Sequence, residues 1–256
     1  MIQFTAHAYL IECLSNLHVG SGDNNYGVID KQVQRDTISK EPIIHASGLK
    51  GALREYFEEC VPHKETNITG IFGSDKNDRN MQQGAYRFWE ARLLSIPLRG
   101  LATEPFHTAS TLKIIAQFNG HAQDLRSKIS IAVEKDSDKT AHTEYGSLPL
   151  YNLSDRARTS IVIAEERTMN EALQNLPIIA RNSLDNGQSE NLWYEELVPR
   201  ESRFYFFVLV PEDAPFNFEE NFNKHLNNKI VQIGANATVG YGYCKIIKIE
   251  QNEQIN

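Results

Sequence analysis

Residues 2–14 read IQFTAHAYLIECL, and apolar side chains alternate with polar ones over the first nine positions. A period of two is typical of a β-strand with one buried face. Downstream of Ser47, apolar residues recur at helical spacing, at Leu49, Leu53, Tyr56, Phe57 and Cys60. We therefore expect a strand, then a helix that Ser47 caps and that ends near Glu59.

The second half of the chain supplies the remaining elements. Residues 85–98, 161–163, 204–210 and 243–249 are predicted as strands, and apolar residues at every fourth position from Phe218 to Ile230 predict a helix across 219–229. Strand, helix, strand, strand, helix, strand is the order of the α+β ferredoxin-like fold, which RNA-recognition modules share. Residues 62–84 are predicted as a loop or a small insertion, and residues 100–160 give no assignment.

The composition limits the classes of function. The chain has 256 residues and a formal net charge of −7, so a polyanion must be met by a local basic face. No window approaches the ~20 apolar residues of a membrane span and no basic leader is present, so a cytoplasmic protein is expected. Three cysteines without a CxxC pair indicate buried thiols in a reducing compartment, and Cys60 and His63 lack the second pair that a zinc finger needs.

Two glycine-rich segments are candidates for phosphate binding. Residues 18–27 (HVGSGDNNYG) follow the first strand, and residues 234–242 (GANATVGYG) precede the last one. In a ferredoxin-like fold the two segments should lie near each other, where backbone N–H groups without side-chain bulk can approach a phosphodiester. The alternative is a pair of ordinary turns.

Charged residues cluster around the first of these segments. The stretch 31–54 holds five cations, at Lys31, Arg35, Lys40, Lys50 and Arg54. They predict a nucleic-acid face, with a solvated helix surface as the alternative. Asp30 could bind a divalent ion or accept a proton, or act as a simple cap. His18 could polarise a phosphate or be a structural hydrogen-bonded group.

Taken together, four segments resemble the RAMP proteins of type III CRISPR systems. They are residues 17–22 (LHVGSG), 27–35 (GVIDKQVQR), 43–54 (IIHASGLKGALR) and 239–242 (VGYG). Residues 28–35, 91–99 (ARLLSIPLR) and 193–199 (WYEELVP) are similar to the Cmr-type (type III-B) backbone subunit, with the Csm-type (type III-A) backbone subunit as the rival. Residues 103–160 match no family motif.

The resemblance implies a single RAMP domain over residues 1–256. Its ferredoxin-like core would occupy about 1–60, 85–100 and 203–250, with insertions at about 61–84 and 101–202. The second insertion would include a thumb β-hairpin between Ser160 and Arg203.

The resemblance also implies a repeated subunit of a helical filament that serves antiviral defence. It would bind CRISPR RNA, further copies of itself and the other subunits of the complex. It would cleave complementary target RNA at regular intervals, as an endoribonuclease that depends on Mg²⁺ or Mn²⁺. A non-catalytic guide-binding RAMP subunit and a stand-alone guide-processing nuclease are the alternatives.

The same resemblance assigns roles to individual residues. Asp30 would be the catalytic aspartate, either as a metal ligand or as a base, and His18, Glu195 and Glu196 would be further catalytic residues. Leu197 stands where relatives often have Tyr, which weakens the assignment of an auxiliary catalytic role to residues 193–199. RNA would contact Gly20, Ser21, Gly22, Arg35, Ser47, Lys50, Arg54, Gly240 and Gly242.

Overall fold

A computed structural model describes residues 3–22, 28–62, 64–74, 81–153, 160–185 and 188–250. At its centre, four long strands form an antiparallel sheet, in the order β13 (Tyr243–Lys248), β1 (Phe4–Cys13), β11 (Arg203–Pro211) and β4 (Ala91–Arg99). If these four strands are renumbered 1 to 4 in chain order, their order across the sheet is 4-1-3-2. This is the arrangement that a βαββαβ ferredoxin-like core requires.

Helix α1 (Ala46–Cys60) covers one face of this sheet. Its side chains Leu49, Leu53 and Phe57 are fully buried, as the apolar stripe predicts. The prediction that Ser47 caps the helix is wrong: His45 is the N-cap, no side chain caps the helix, and Ser47 lies exposed in the first turn.

The second core helix departs from the α-helix predicted across 219–229. A π-helical segment, Glu219–Asn223, continues into the short α5 (Lys224–Leu226), and strand β12 (Lys229–Gln232) then pairs with β13. The wide turn buries two consecutive side chains, Phe222 and Asn223. Asn223 accepts a hydrogen bond from the Tyr9 hydroxyl at 2.6 Å. The π-helical turn is therefore bonded to strand β1.

The insertions are more ordered than the sequence predicts. Residues 62–84 contain α2 (Ile68–Phe72), so of the two predicted alternatives the segment is a small insertion and not a plain loop. The unassigned region holds β5 (Phe106–Ser110), α3 (Leu112–Asp124), β6 (Val133–Thr143) and β7 (Gly146–Leu153). With β8 (Ser160–Ile163), these strands extend the central sheet beyond β4 in the order β5-β8-β7-β6. Short strands β2 (Ile43–Ile44) and β3 (Arg87–Phe88) pair with β4 and β11.

A separate hairpin follows α4 (Glu166–Gln174). It consists of β9 (Ile178–Asp185) and β10 (Gln188–Glu196), which pair only with each other as strands and lie in the interval where a hairpin is predicted. Isolated bridges, Lys31 to Glu195 and Leu17 to Val198, join its base to the loops that follow β1. The hairpin thus borders the predicted site.

Two expectations about the chain as a whole can be compared with the structure. Cys13 and Cys244 are buried, but Cys60 is exposed, so the expectation of buried thiols fails for Cys60, and His63 lies outside the described residues. Within the described part of the chain, no helix is long and apolar enough to cross a membrane.

Candidate RNA-binding and cleavage site

The candidate site lies where the two glycine-rich loops meet the base of the hairpin. The Ala235 N–H donates to the carbonyl of His18 at 2.9 Å, and the Gly242 N–H donates to the carbonyl of Asn16 at 2.9 Å. The prediction that the two loops lie together is therefore confirmed. The Lys31 N–H donates to the carbonyl of Tyr194 at 3.1 Å, which adds the segment after Asp30 to the edge of β10.

Asp30 is exposed at this edge. One carboxylate oxygen, Oδ2, accepts a hydrogen bond from the backbone N–H of Tyr194 at 2.8 Å. The hairpin backbone therefore fixes the side chain from one side and leaves it open to solvent on the other. A fixed, exposed carboxylate can bind a cation or accept a proton.

His18 lies beneath the first glycine-rich loop and is only 3% exposed. Its Nδ1 is 2.8 Å from the backbone carbonyl of Glu196, which can only accept, so Nδ1 carries a proton and donates it to this carbonyl. A Cβ at Gly20 would lie 3.3 Å from Nε2, so glycine lets the loop run close over the ring. The Ser21 N–H donates to the carbonyl of Gln32, and Gly22, with φ +80°, is exposed beside it.

Glu195 is the buried centre of a polar cluster that reaches the surface, which we call the Glu195 cluster: Lys31, Arg181, Trp193, Glu195 and Asn236. The carboxylate is 1% exposed and accepts from Lys31 at 3.0 Å, Arg181 at 3.2 Å, the Trp193 indole at 2.7 Å and Asn236 at 3.0 Å. Burial acts to raise its pKa, but the hydrogen bonds from Trp193, Lys31 and Arg181 outweigh it and lower the pKa from 4.5 to about 2. Glu195 is therefore ionised at neutral pH.

Glu196 is also buried, and both its oxygens are occupied. Oε1 accepts from Arg35 at 2.6 Å and Oε2 accepts from the Val33 N–H at 3.1 Å. Arg35 donates in addition to the carbonyls of Lys40 and Leu173. Both glutamates predicted as catalytic thus lie inside the protein as partners of cations, in positions suited to orienting neighbours.

Of the predicted guide-binding residues of α1, Ser47 and Lys50 face an open groove, whereas Arg54 is bonded to other protein groups. Lys50 and Ser47 line an open groove of about 280 Å³ together with Arg87. Arg54 lies further along the helix, where its guanidinium donates to Glu58 at 2.7 Å and to the carbonyl of Gly73 at 3.1 Å. Lys50 is therefore better placed to meet RNA than Arg54.

The two late glycines also differ. Gly240 has φ +88° and nothing within 4 Å of where a Cβ would lie, so the space above it is open. Gly242 has φ +75°, and a Cβ there would collide with the carbonyl of Ile233. The fold itself requires glycine at 242, whereas Gly240 offers its backbone to the surface.

The side chains around Asp30 decide whether the site could hold a divalent ion. Across the ranges that the structure describes, no group of three or more His, Cys, Asp or Glu side chains could hold a metal. Mg²⁺ keeps several waters and commonly needs only one or two carboxylates when a substrate phosphate supplies further oxygens. Asp30 therefore fits an ion that it shares with RNA, and does not fit a cage made of protein alone.

Sequence reasoning missed most of the Glu195 cluster. The sequence places Lys31 in a basic stretch, Trp193 in a family segment and Asn236 in a glycine-rich segment, and gives no sign that they meet or that Arg181 joins them. One signal was available: Trp193 and Glu195 are two residues apart on a strand, so they share a face. Their partners lie up to 164 positions away, and no local pattern marks them.

Comparisons with known proteins agree with the geometry. A model of the RAMP superfamily matches residues 10–245. The CRISPR system Cmr endoribonuclease Cmr4 of Pyrococcus furiosus is 26% identical over 285 aligned residues, which cover 93% of this chain and 95% of the relative. The CRISPR system CMR subunit Cmr4 of Saccharolobus solfataricus is 32% identical over 93 residues, or 36% of this chain and 29% of the relative.

Solved structures show the same fold. A chain of the type III-B Cmr-beta structure bound to cognate target RNA superimposes with a TM-score of 0.79 and 21% identity, covering 96% of this chain and 97% of that one. Oligomeric Cmr4 from Pyrococcus furiosus gives a TM-score of 0.69 at 21% identity, with 96% and 99% coverage.

Proposed function

The chain belongs to the RAMP superfamily, and on this premise we propose that it is the repeated backbone subunit of a type III-B CRISPR effector complex. In this role it binds CRISPR RNA, packs against further copies of itself and the other subunits, and cleaves complementary target RNA at regular intervals. The near full-length similarity to a Cmr endoribonuclease supports the activity. The whole chain acts as one domain, and the complex works in the cytoplasm.

The observation that carries the proposal is the position of Asp30. Its carboxylate is exposed, fixed by the backbone of the hairpin, and adjacent to two glycine-rich loops that are hydrogen-bonded to each other. Cleavage that uses a carboxylate as metal ligand or base needs that group to be held in place where the scissile phosphate can reach it. Asp30 meets both conditions, whereas Glu195 and Glu196 are buried.

RNA carries its own nucleophile, so the protein has few tasks. The ribose 2′-hydroxyl gives its proton to a base, Asp30 or water, and its oxygen forms a bond to the neighbouring phosphorus as the bond from phosphorus to the 5′-oxygen breaks; water gives a proton to the departing 5′-oxygen. A divalent ion, Mg²⁺ or Mn²⁺, would neutralise charge on the phosphate when bound at Asp30. Asp30 would hold this ion or accept the proton of the 2′-hydroxyl, and His18, with Nδ1 bonded to the carbonyl of Glu196, supports the loop over which the RNA passes.

The guide strand is assigned to the surface beside this site. Lys50 and Ser47 at the start of α1 offer an ammonium and a hydroxyl group to phosphates, and the loop of Gly20, Ser21 and Gly22 and the open backbone at Gly240 leave room for RNA to approach. Arg35 and Gly242 contribute by holding the loops around the site, whereas the guanidinium of Arg54 is engaged with Glu58 and the carbonyl of Gly73.

The test is cleavage by the assembled complex. Asp30→Asn keeps the shape and removes the charge, so single-turnover cleavage should fall by at least 100-fold while target affinity changes little. Asp213→Asn, at an exposed position outside the site, is the matched control. Cleavage of labelled target RNA at the wild-type rate by the Asp30 variant would rule out a catalytic role and favour a guide-binding subunit without chemistry.

A further inference from the structure

We propose that Lys31 and Arg181 bind a phosphodiester of the target RNA next to Asp30, and that Glu195 is the positioning residue that holds both cations. The inference deepens the proposed function and rests on it. It assigns an RNA contact to Arg181, which the sequence analysis does not mention, and a specific target phosphate to Lys31, which the sequence analysis places only in a general nucleic-acid face.

The geometry places both cations on one carboxylate. The Lys31 ammonium is 3.0 Å from Oε1 of Glu195, and the Arg181 guanidinium is 3.2 Å from Oε2. The carboxylate is almost fully buried, but the Lys31 side chain is 53% exposed and that of Arg181 is 23% exposed. The anchor therefore lies inside the protein, and the charged groups reach the surface.

The charges of the cluster do not balance. Two cations face one carboxylate, so the cluster carries a net charge of +1, which matches the single negative charge of a phosphodiester. An ammonium has three N–H donors and a guanidinium has five, and the Glu195 carboxylate accepts one from each. Donors therefore remain for a phosphate oxygen.

Aromatic rings hold the two side chains in place before RNA arrives. The Lys31 ammonium lies 5.1 Å from the centroid of Trp193, and the Arg181 guanidinium lies 5.8 Å from the centroid of Tyr241. Side chains that are already ordered lose less conformational entropy on binding. The site is thus formed in advance on the protein side.

Arg35 is not a third phosphate-binding cation, because it is already paired with Glu196. Arg35 faces Glu196 one to one, so that pair is neutral. Its guanidinium also donates to two backbone carbonyls. Lys31, in contrast, follows Asp30 directly, and Asp30 is bonded to the backbone of Tyr194, next to Glu195. A phosphate bound by the Glu195 cluster would therefore lie beside Asp30.

The experiment compares charged and neutral linkages in the target. With the assembled complex, cleavage by wild type first identifies the scissile linkage. Binding is then measured with target RNAs that carry one neutral methylphosphonate, either at the cleaved linkage or at one of its two neighbours. All of them carry 2′-deoxyribose at the cleaved nucleotide, so that the target stays intact. At one of these positions the neutral linkage should weaken wild-type binding about tenfold, as the loss of a charged hydrogen bond predicts.

Variants then show which residues detect the charge. Lys31→Met keeps the aliphatic stem and Arg181→Gln keeps a donor. Each variant should bind the charged target more weakly. Each should also lose most of the sensitivity, that is, the drop in affinity that the neutral linkage causes in wild type. Lys31→Arg should retain the sensitivity, as should the control Lys113→Met, which removes an exposed lysine elsewhere. Glu195→Gln keeps both cations without their anchor, and should lower the sensitivity.

The outcomes separate the two levels of the proposal. If the wild-type complex does not cut target RNA, the proposed function fails. If it cuts, but both Lys31→Met and Arg181→Gln remain as sensitive as wild type at every linkage, the assignment of the phosphate site is overturned and the nuclease function stands. Full sensitivity in a folded Glu195→Gln variant would overturn only the positioning role.

Discussion

Replacing Glu195 with glutamine should make the folded chain less stable in a way that depends on pH. Glutamine has nearly the same shape but no charge, so Lys31 and Arg181 lose their shared counter-ion. The pKa of Glu195 is about 2 in the folded protein, against an ordinary value of 4.5. At about 1.4 kcal/mol for each pKa unit, the ionised carboxylate stabilises the fold by about 3 kcal/mol.

The sign of the pH dependence follows from the lowered pKa. A carboxylate with a depressed pKa in the folded state contributes its full stability above pH 4.5 and loses it as the pH falls through 4.5 toward 2. The difference in unfolding free energy between wild type and Glu195→Gln should therefore be about 3 kcal/mol at pH 7 and shrink steadily below pH 4.5. Urea unfolding at a series of pH values measures this difference.

A matched control is available on the same strand. Glu190 is exposed on β10, and Glu190→Gln should change the unfolding free energy by less than about 0.5 kcal/mol at every pH. A constant difference between wild type and Glu195→Gln from pH 7 to pH 3 would refute the reasoning. The variant would then be destabilised by altered packing, and the two cations would not stabilise the charged form of Glu195.

Two further predictions concern the surface assigned to the guide. Lys50→Met should make the log–log salt dependence of guide binding shallower by about 0.7, the value for one phosphate contact on a single strand, whereas Arg54→Met should change it much less because protein acceptors occupy its guanidinium. Guide titrations at several salt concentrations decide this, and equal slopes for the two variants would contradict it. Gly240→Ala should lower the unfolding free energy by about 1 kcal/mol, the cost of a left-handed backbone, and Gly242→Ala by clearly more because its Cβ meets a carbonyl. Thermal melts of both variants provide the comparison, and equal losses would contradict it.

The sequence predicts those parts of the fold that local patterns specify. The alternation in β1 and the stripe of Leu49, Leu53 and Phe57 in α1 correspond to buried faces in the structure. Helix α3 was missed although its signals are local: Thr111 accepts from the Ile114 N–H as an N-cap, and Phe118 follows Ile114 at i+4. Its polar neighbours on both sides obscured the pattern.

Other features depend on contacts that no local pattern contains. The π-helical turn accompanies the hydrogen bond between Tyr9 and Asn223, residues 214 positions apart. In β6, charged residues at Glu134, Lys135 and Asp136 leave no alternation to recognise. The site shows the same division: the motif of Asp30 predicts its place, but three partners of Glu195, namely Lys31, Arg181 and Asn236, come from three segments that only the fold brings together.

The hairpin has two roles at this site, because its base supplies both the support for Asp30 and the anchor of the cations. The Tyr194 N–H holds the aspartate, and the next residue along β10, Glu195, holds Lys31 and Arg181. A displacement of β10 would therefore move the acidic group and the positive charges together. In a filament that uses the hairpin to shape the target strand, the group that cleaves and the groups that bind the phosphate would keep their spacing as the hairpin shifts. This is the physical reason to expect cleavage at a fixed position relative to each subunit.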